Sequence, residues 1–263
     1  MISRRSLLSS MGFVASLAWL PKLSGVMSQE KPLVPDSFPQ TIPKLASEIV
    51  GASHFDLDKV TALLLENPSL AKASWDWGFG DWETAIGAAS HTGRRDIIEL
   101  LLAHGASPTI FSFAAMDQVD VIRSICQTNS NIQKTRGPHG ITLLKHAVAS
   151  KADRVIEYLK ELGQADVPQP DNPLSAETMS VYVGSYDFGK GAADVLEVGI
   201  GGTVPRLGIR RTGWSYRFMA CLGQHTFNLY GSPQVEITFE IIENQAASVR
   251  VKNSGIDVVA QRI

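Results

Sequence analysis

The stretch WETAIGAASHTGRRDIIELLLAHGASPT, from Trp82 to Thr109, decides how the chain is read. Thr84 opens a predicted helix through Ala88, Ala89 and Ser90, and Gly93 breaks it. Asp96 stands where an N-cap would start a second helix, Ile97 to His104. Gly105 then supplies the left-handed residue that closes a helix C-terminus. Ile97, Ile98, Leu101 and Leu102 recur at helical spacing, and the small residues of the first helix let that stripe pack close. The stretch predicts a hairpin of two short helices.

Outward from it the arrangement repeats. Upstream, Ile49, Val50 and Ala52 form one helix. Val60, Leu63, Leu64 and Leu65 form a second after Asp58, stopped at Asn67-Pro68 because proline cannot continue a helix. Downstream, Phe111, Phe113 and Ala114-Ala115 lead to Asp120, read as the cap of a helix through Val121, Ile122 and Ile125. Gly140, Thr142, Leu144 and Ala147 begin a fourth pair, which Val155, Ile156, Leu159 and Gly163 complete. From Thr84 to Thr142 is 58 residues, as is Gly105 to Gly163.

These residues resemble the ankyrin repeat. Thr84-Ala85-Ile86-Gly87 stands where that family has T-P-L-H, Ala88-Ala89 falls in its alanine run, and Leu101-Leu102-x-x-Gly105-Ala106 matches its L-L-x-x-G-A. The departures are Ala85 for proline, Gly87 for histidine and Trp82 for the turn glycine. The resemblance covers residues 44–166. Two full units would take about 66 residues, so the middle repeat lacks one β-turn finger. It implies an α-helical stack whose units bury one another's faces, with a protein or peptide partner held on fingers and concave face.

Residues 167–174 read as a linker that overlaps a proline-rich boundary, ADVPQPDNP (Ala165–Pro173), beyond which the period changes from helical to alternating. Val235, Ile237, Phe239 and Ile241 alternate with Glu236, Thr238 and Glu240, the pattern of a strand with one dry and one wet face. Seven further short runs, from Val181–Tyr186 to Ile256–Ala260, make residues 175–263 a predicted small antiparallel β barrel or sandwich. The whole chain then reads as α+β and multidomain. Tyr182-x-Gly184-x-Tyr186, Leu222-Gly223-x-x-x-Phe227 and Val258-x-Ala260-x-Arg262 give this part a resemblance to the β domain appended to some secreted bacterial hydrolases.

Residues 1–28 begin MISRRSLLSSMGFVASLAWLPKLSG. Ser3-Arg4-Arg5-x-Leu7-Leu8 resembles the twin-arginine export signal, which implies a periplasmic or secreted protein; an ordinary secretory signal is the alternative. The run from Leu7 to Leu20 is shorter than the roughly 20 residues a membrane span needs, so no stable span is expected once the signal is removed. Residues 29–43 read as an extended linker with Pro32, Pro35, Pro39 and Pro43. Net charge is −2, and removing residues 1–28 leaves 21 basic against 26 acidic side chains. Nucleic acid is therefore not an expected partner.

The sequence shows no catalytic constellation, so the expected function is non-catalytic recognition of a protein or peptide. The alternatives are a cell-envelope protein binding a small ligand or glycan through the β domain, and an accessory subunit of an envelope hydrolase. Ser69-Leu70-Ala71-Lys72 matches S-x-x-K without its companion motifs, and Gly199-x-Gly201-Gly202 reads as a strand-joining turn. No two of the six histidines have the H-x-x-x-H spacing. His91 and His104 are expected in structural roles, and neither metal nor cofactor is expected. Cys126 and Cys221 read as two buried thiols or as an inter-domain bridge.

Trp75, Trp77, Phe79 and Trp82 exceed the fold's needs and are the candidate binding residues, with Asp76 and Asp81 keeping the patch soluble. Either this insertion folds back as a cap or its rings form an exposed anchor. Trp82 is expected to pack and Trp77 to project.

Overall fold

A computed structural model describes residue 34, residues 36–189 and residues 195–263. Arg4, Arg5 and the rest of the export signal lie outside the described residues, with most of the proline-rich leader. The chain is α+β, with nine α-helices and a closed eight-stranded antiparallel barrel among the described residues. No described helix is long and apolar enough to cross a membrane.

Eight of the helices come as pairs. They are α1 (Pro43–Ala52) with α2 (Leu57–Glu66), α3 (Ala85–His91) with α4 (Arg95–Ala103), α5 (Ile110–Ala115) with α6 (Val119–Thr128), and α7 (Leu143–Ala149) with α8 (Asp153–Leu162). Three first helices share a threonine N-cap. The hydroxyls of Thr84, Thr109 and Thr142 accept from the backbone N–H of Gly87, Ser112 and Lys145, respectively. Such caps satisfy amides that have no partner inside the helix. The first helices then pack in sequence, α1 on α3, α3 on α5 and α5 on α7.

Ile49, Leu64, Ile97, Ile98 and Leu101 fill the core of the first two pairs, and Ile122, Leu143, Val155 and Leu159 that of the last two. Gly93 lets these pairs close up, since a Cβ there would stand 2.2 Å from the Ala149 carbonyl oxygen.

Two expected caps are not caps. Arg94 and Gln118 occupy the N-cap positions of α4 and α6, so Asp96 and Asp120 fall in the first turn. There their charge still favours the helix N-terminus. Asp96 holds Arg94, and Asp120 pairs with Arg123 and Arg154.

What separates the pairs differs. Before α3 the chain makes a hairpin, β1 (Ser74–Asp76) with β2 (Trp82–Thr84). Before α7 it makes a shorter turn closed by an Arg136–Thr142 bridge. Between α4 and α5 there is neither hairpin nor bridge. Two fingers therefore project from the helical half.

The barrel is a meander of β3 (Gly184–Asp187), β4 (Val195–Gly201), β5 (Arg206–Arg211), β6 (Arg217–Gly223), β7 (Thr226–Leu229), β8 (Ser232–Ile242), β9 (Gln245–Asn253) and β10 (Ile256–Arg262). Each strand pairs with its neighbours in sequence, and β10 closes on β3 through Arg262 opposite Tyr186. Alternation sends Val235, Ile237 and Phe239 inward, where they meet Tyr182, Tyr186, Leu196, Ile209 and Phe227. A short helix, α9 (Ala176–Ser180), precedes the barrel and adds Met179 to that core. Gly199 and Gly201 lie inside β4 rather than in a turn. Gly199 lies under the Tyr216 ring, whose oxygen would be 2.5 Å from a Cβ there.

Both fingers dock on the β7–β8 turn. At the first, Gly231 has φ of 85°, and a Cβ on it would lie 2.8 Å from an Asp81 carboxylate oxygen. At the second, a Cβ on Gly140 would lie 2.9 Å from the Gly231 amide. The boundary segment is strapped to the barrel as well. Asn172 donates to the Cys221 carbonyl, Cys221 N–H donates to Asp171, and Gln169 donates to Asn228.

Candidate functional site

A cleft of about 840 Å³ opens where the fingers and the boundary segment meet the barrel. His54, Trp77, Arg136, His139, Lys145, Asp171, Arg206, Tyr216, Arg217 and Tyr230 are among its walls. This volume is typical of small-molecule sites.

Glu83 is the organising group. Strand alternation in β2 turns it inward, so its side chain has no exposure, while Trp82 on the opposite face is 62 % exposed. Its carboxylate accepts from Trp77 Nε1 at 2.7 Å. His91 Nε2, at the end of α3, lies 2.9 Å from Oε1. His54 Nε2, just after α1, lies 3.3 Å from Oε2, and His139 Nε2, on the second finger, 3.5 Å.

Burial by itself would push the Glu83 carboxyl up. Its contacts with His139, His54 and His91 overcome this and hold it far below the usual carboxylate range. Burial likewise works against a charge on His54, yet the Glu83 carboxylate beside it raises its pKa on balance.

Asp81 stands on the same side of the first finger and is 2 % exposed. It ion-pairs with Arg217 from β6 and binds His139 twice, through the backbone N–H at 3.0 Å and through Nδ1 at 2.7 Å. One carboxylate thus ties both fingers to the barrel. Burial pulls Arg217 down to about 10, against the charge of Asp76; beside Asp81 it remains a cation at neutral pH. Further along the cleft, Tyr230 donates to Asp171 at 2.6 Å and carries the Arg206 guanidinium 5.0 Å above its ring. Burial and its bond to Asp171 push the Tyr230 hydroxyl up to about 12.

The aromatic cluster divides. Trp75 and Trp77 pack on the helical core and Phe79 on the barrel core, whereas Trp82 faces outward. The expected split is therefore reversed, because alternation puts Trp82 on the wet face and Trp77 is held by Glu83. Asp81 does not solubilise a patch; it is buried in the ion pair. Asp76 accepts from the amides of Gly78 and Gly80 and shapes the fingertip.

His104 has the expected structural role, with Nδ1 on the Leu100 carbonyl, but His91 reaches Glu83. Ser69 lies in a 3₁₀ turn and bonds its cap Asn67, away from the cleft. Cys126 and Cys221 are both free thiols.

Among the described residues, His54, Glu83, His91 and His139 could supply a metal, their ligand atoms lying within 4.8 Å of one another. No sequence motif joins them, because each comes from a different element. The usable signal is Asp81-x-Glu83 at the start of a strand, where alternation sets two carboxylates on the face opposite Trp82. The chain matches no known protein-family model, and no curated protein matches it.

Proposed function

We propose that the protein is an exported binding protein that holds a small oxyanion-bearing molecule, a carboxylate or a phosphate, in the cleft between helical half and barrel. One observation carries this reading. Arg136, Lys145, Arg206 and Arg217 line the cleft against a single lining carboxylate, Asp171. Arg136 spends its guanidinium on the Gly140 and Val167 carbonyls, and Arg206 lies over Tyr230. Neither has a carboxylate partner among the described residues. Trp77, Tyr216, Phe218 and Tyr230 add aromatic walls. The barrel axis is occupied by Phe227, Phe239, Tyr182 and Tyr186, so the ligand belongs at the barrel's junction with the fingers.

The ankyrin resemblance gives the helical half a part in this reading, as a rigid stack that presents two fingers. The twin-arginine resemblance of Arg4-Arg5 supports export to the periplasm or beyond. A second reading, recognition of a protein by the outer face of the stack, is favoured by the exposure of Trp82.

Calorimetry with citrate and glucuronate, with inorganic phosphate and glucose 6-phosphate, and with uncharged glucose tests the first reading. At least one anionic probe should bind, glucose should not, and Arg206→Ala should weaken the bound probe at least ~10-fold. The carboxylate and phosphate arms distinguish the two ligand classes. Binding of no anion in preference to glucose overturns the reading.

A further inference from the structure

The donors and acceptors around Glu83 do not balance without a cation. His54 Nδ1 lies 3.1 Å from the Val50 carbonyl and 3.0 Å from that of Gly51. Carbonyls only accept, so Nδ1 carries the proton and the lone pair of neutral His54 falls on Nε2. His139 Nδ1 faces the carboxylate of Asp81. Arg217 also approaches this nitrogen, at 3.2 Å, but an unprotonated Nδ1 would set its lone pair against a carboxylate oxygen at 2.7 Å. The proton therefore sits on Nδ1 and the second lone pair on Nε2. Both lone pairs then point at Glu83 Oε2, itself a lone-pair donor.

Protonating both rings would remove the conflict at the cost of two imidazoliums. The rings are stacked with centroids 6.4 Å apart and share one buried carboxylate. The His91 ring stands 4.9 and 5.4 Å from them. A single cation satisfies all these lone pairs at once.

We propose that His54, His91 and His139, each through Nε2, and Glu83, through a carboxylate oxygen, hold a divalent first-row transition-metal ion. His91 joins by carrying its proton on Nδ1, which frees Nε2. Three imidazoles and one carboxylate suit zinc, iron, copper or nickel, and not magnesium or calcium. The outer contacts have the form that orients metal-bound imidazoles. Asp81 fixes the His139 ring, and the Val50 and Gly51 carbonyls fix His54. Two donors on a tetrahedral ion stand ~3.4 Å apart, so the widest spacing in the set, within 4.8 Å, must draw in by up to ~1.4 Å. His54 and His139, at 20 % and 26 % side-chain exposure on the cleft wall, have room to do so. The same two residues turn the ion toward the cleft, where a bound molecule could complete its coordination.

The assignment does not rest on the anionic ligand, since metal content is measured with the cleft empty. Untagged full-length protein, stripped with EDTA and dialysed, is titrated with zinc and with magnesium by calorimetry. Zinc should bind at one ion per chain and raise the melting temperature, and magnesium should do neither. His54→Ala and His139→Ala should each weaken zinc at least ~10-fold while both variants remain folded by circular dichroism. His104→Ala, outside the cluster, should bind zinc as the wild type does.

Cobalt(II) provides a measurement that needs no variant. The wild-type protein should develop visible d–d bands that EDTA removes. Absence of zinc binding or of the cobalt bands overturns the proposal, as does zinc binding that survives loss of both His54 and His139.

Discussion

The barrel and the helical half differ in what they bury. The barrel interior is a dry aromatic and aliphatic core, with Tyr182, Phe227 and Phe239 in contact at centroid distances of 5.0 to 5.6 Å. Two of its buried polar side chains, Arg217 and Asn228, turn to the finger and the strap. The helical half buries Asp81, Glu83, Ser90, Ser112, Thr142 and His146. Buried polar groups cost stability unless each is paired, so their concentration on one side of the junction marks where the fold serves something besides stability. The barrel acts as a wall that offers two cations, Arg206 and Arg217, and the helical half supplies the buried carboxylates and imidazoles.

The hardest way to break that contrast is to remove the group both regions share. Asp81→Ala would leave Arg217 without its carboxylate and His139 without its acceptor. Loss of one member of a buried pair costs about 3–5 kcal/mol. Urea unfolding should show that loss. A change below about 1 kcal/mol would mean that the finger is not the tie between the two regions.

His146 sharpens the contrast through pH. It is fully buried in α7, donates from Nδ1 to the Thr142 carbonyl, and has no partner at Nε2 among the described residues. Burial lowers its pKa from 6.5 to about 4; the Thr142 bond opposes this, nearby His91 adds to it, and Glu83 opposes it. The unfolded chain therefore takes up the proton first as pH falls. Stability should drop between pH 6.5 and pH 4 by about 3 kcal/mol from this group, and no further below. His54 contributes with the opposite sign, because its pKa is raised. The measurement is thus the difference between wild type and His146→Gln, both with EDTA, whose gap should narrow as pH falls through that window. A constant gap would place the proton elsewhere.

Much of the fold was legible in local periodicity. Helical spacing in Ile97, Ile98 and Leu101, and strict alternation from Val235 to Ile241, each report a face without knowledge of its partner. Helix starts were less legible, because Asp96 and Asp120 carry the chemistry of an N-cap and stand two residues inside it. The cleft was not legible from spacing at all. Its four candidate ligands come from the end of α1, from β2, from the end of α3 and from the second finger, and only the packing of α1 on α3 and of α3 on α7 brings them together. Aromatic residues crowd the first finger, yet the residues that matter most for the site alternate with those rings.

Trp77 and Trp82 give the smallest effect and the most direct reading of that alternation. Trp77 shares the helical core, and its indole N–H reaches Glu83 at 2.7 Å. Trp77→Phe keeps most of the ring and removes the donor, so the loss should be about 1.5–3 kcal/mol, the range for hydrogen bonds to charged groups. Trp82, five residues on, is 62 % exposed on the opposite face of β2. Trp82→Ala should change stability by no more than about 0.5 kcal/mol and leave zinc affinity unchanged. The two variants also separate the functional readings. If the outer face of the helical half binds a protein, Trp82→Ala should weaken that complex by about 2 kcal/mol or more while sparing anion binding in the cleft. If the cleft alone carries function, Trp82→Ala should behave as wild type in every assay, and Trp77→Phe should not. Thermal melts of both variants decide the structural half of the argument first: a destabilised Trp82→Ala would mean that β2 presents its faces the other way round, with Glu83 no longer turned toward the histidines.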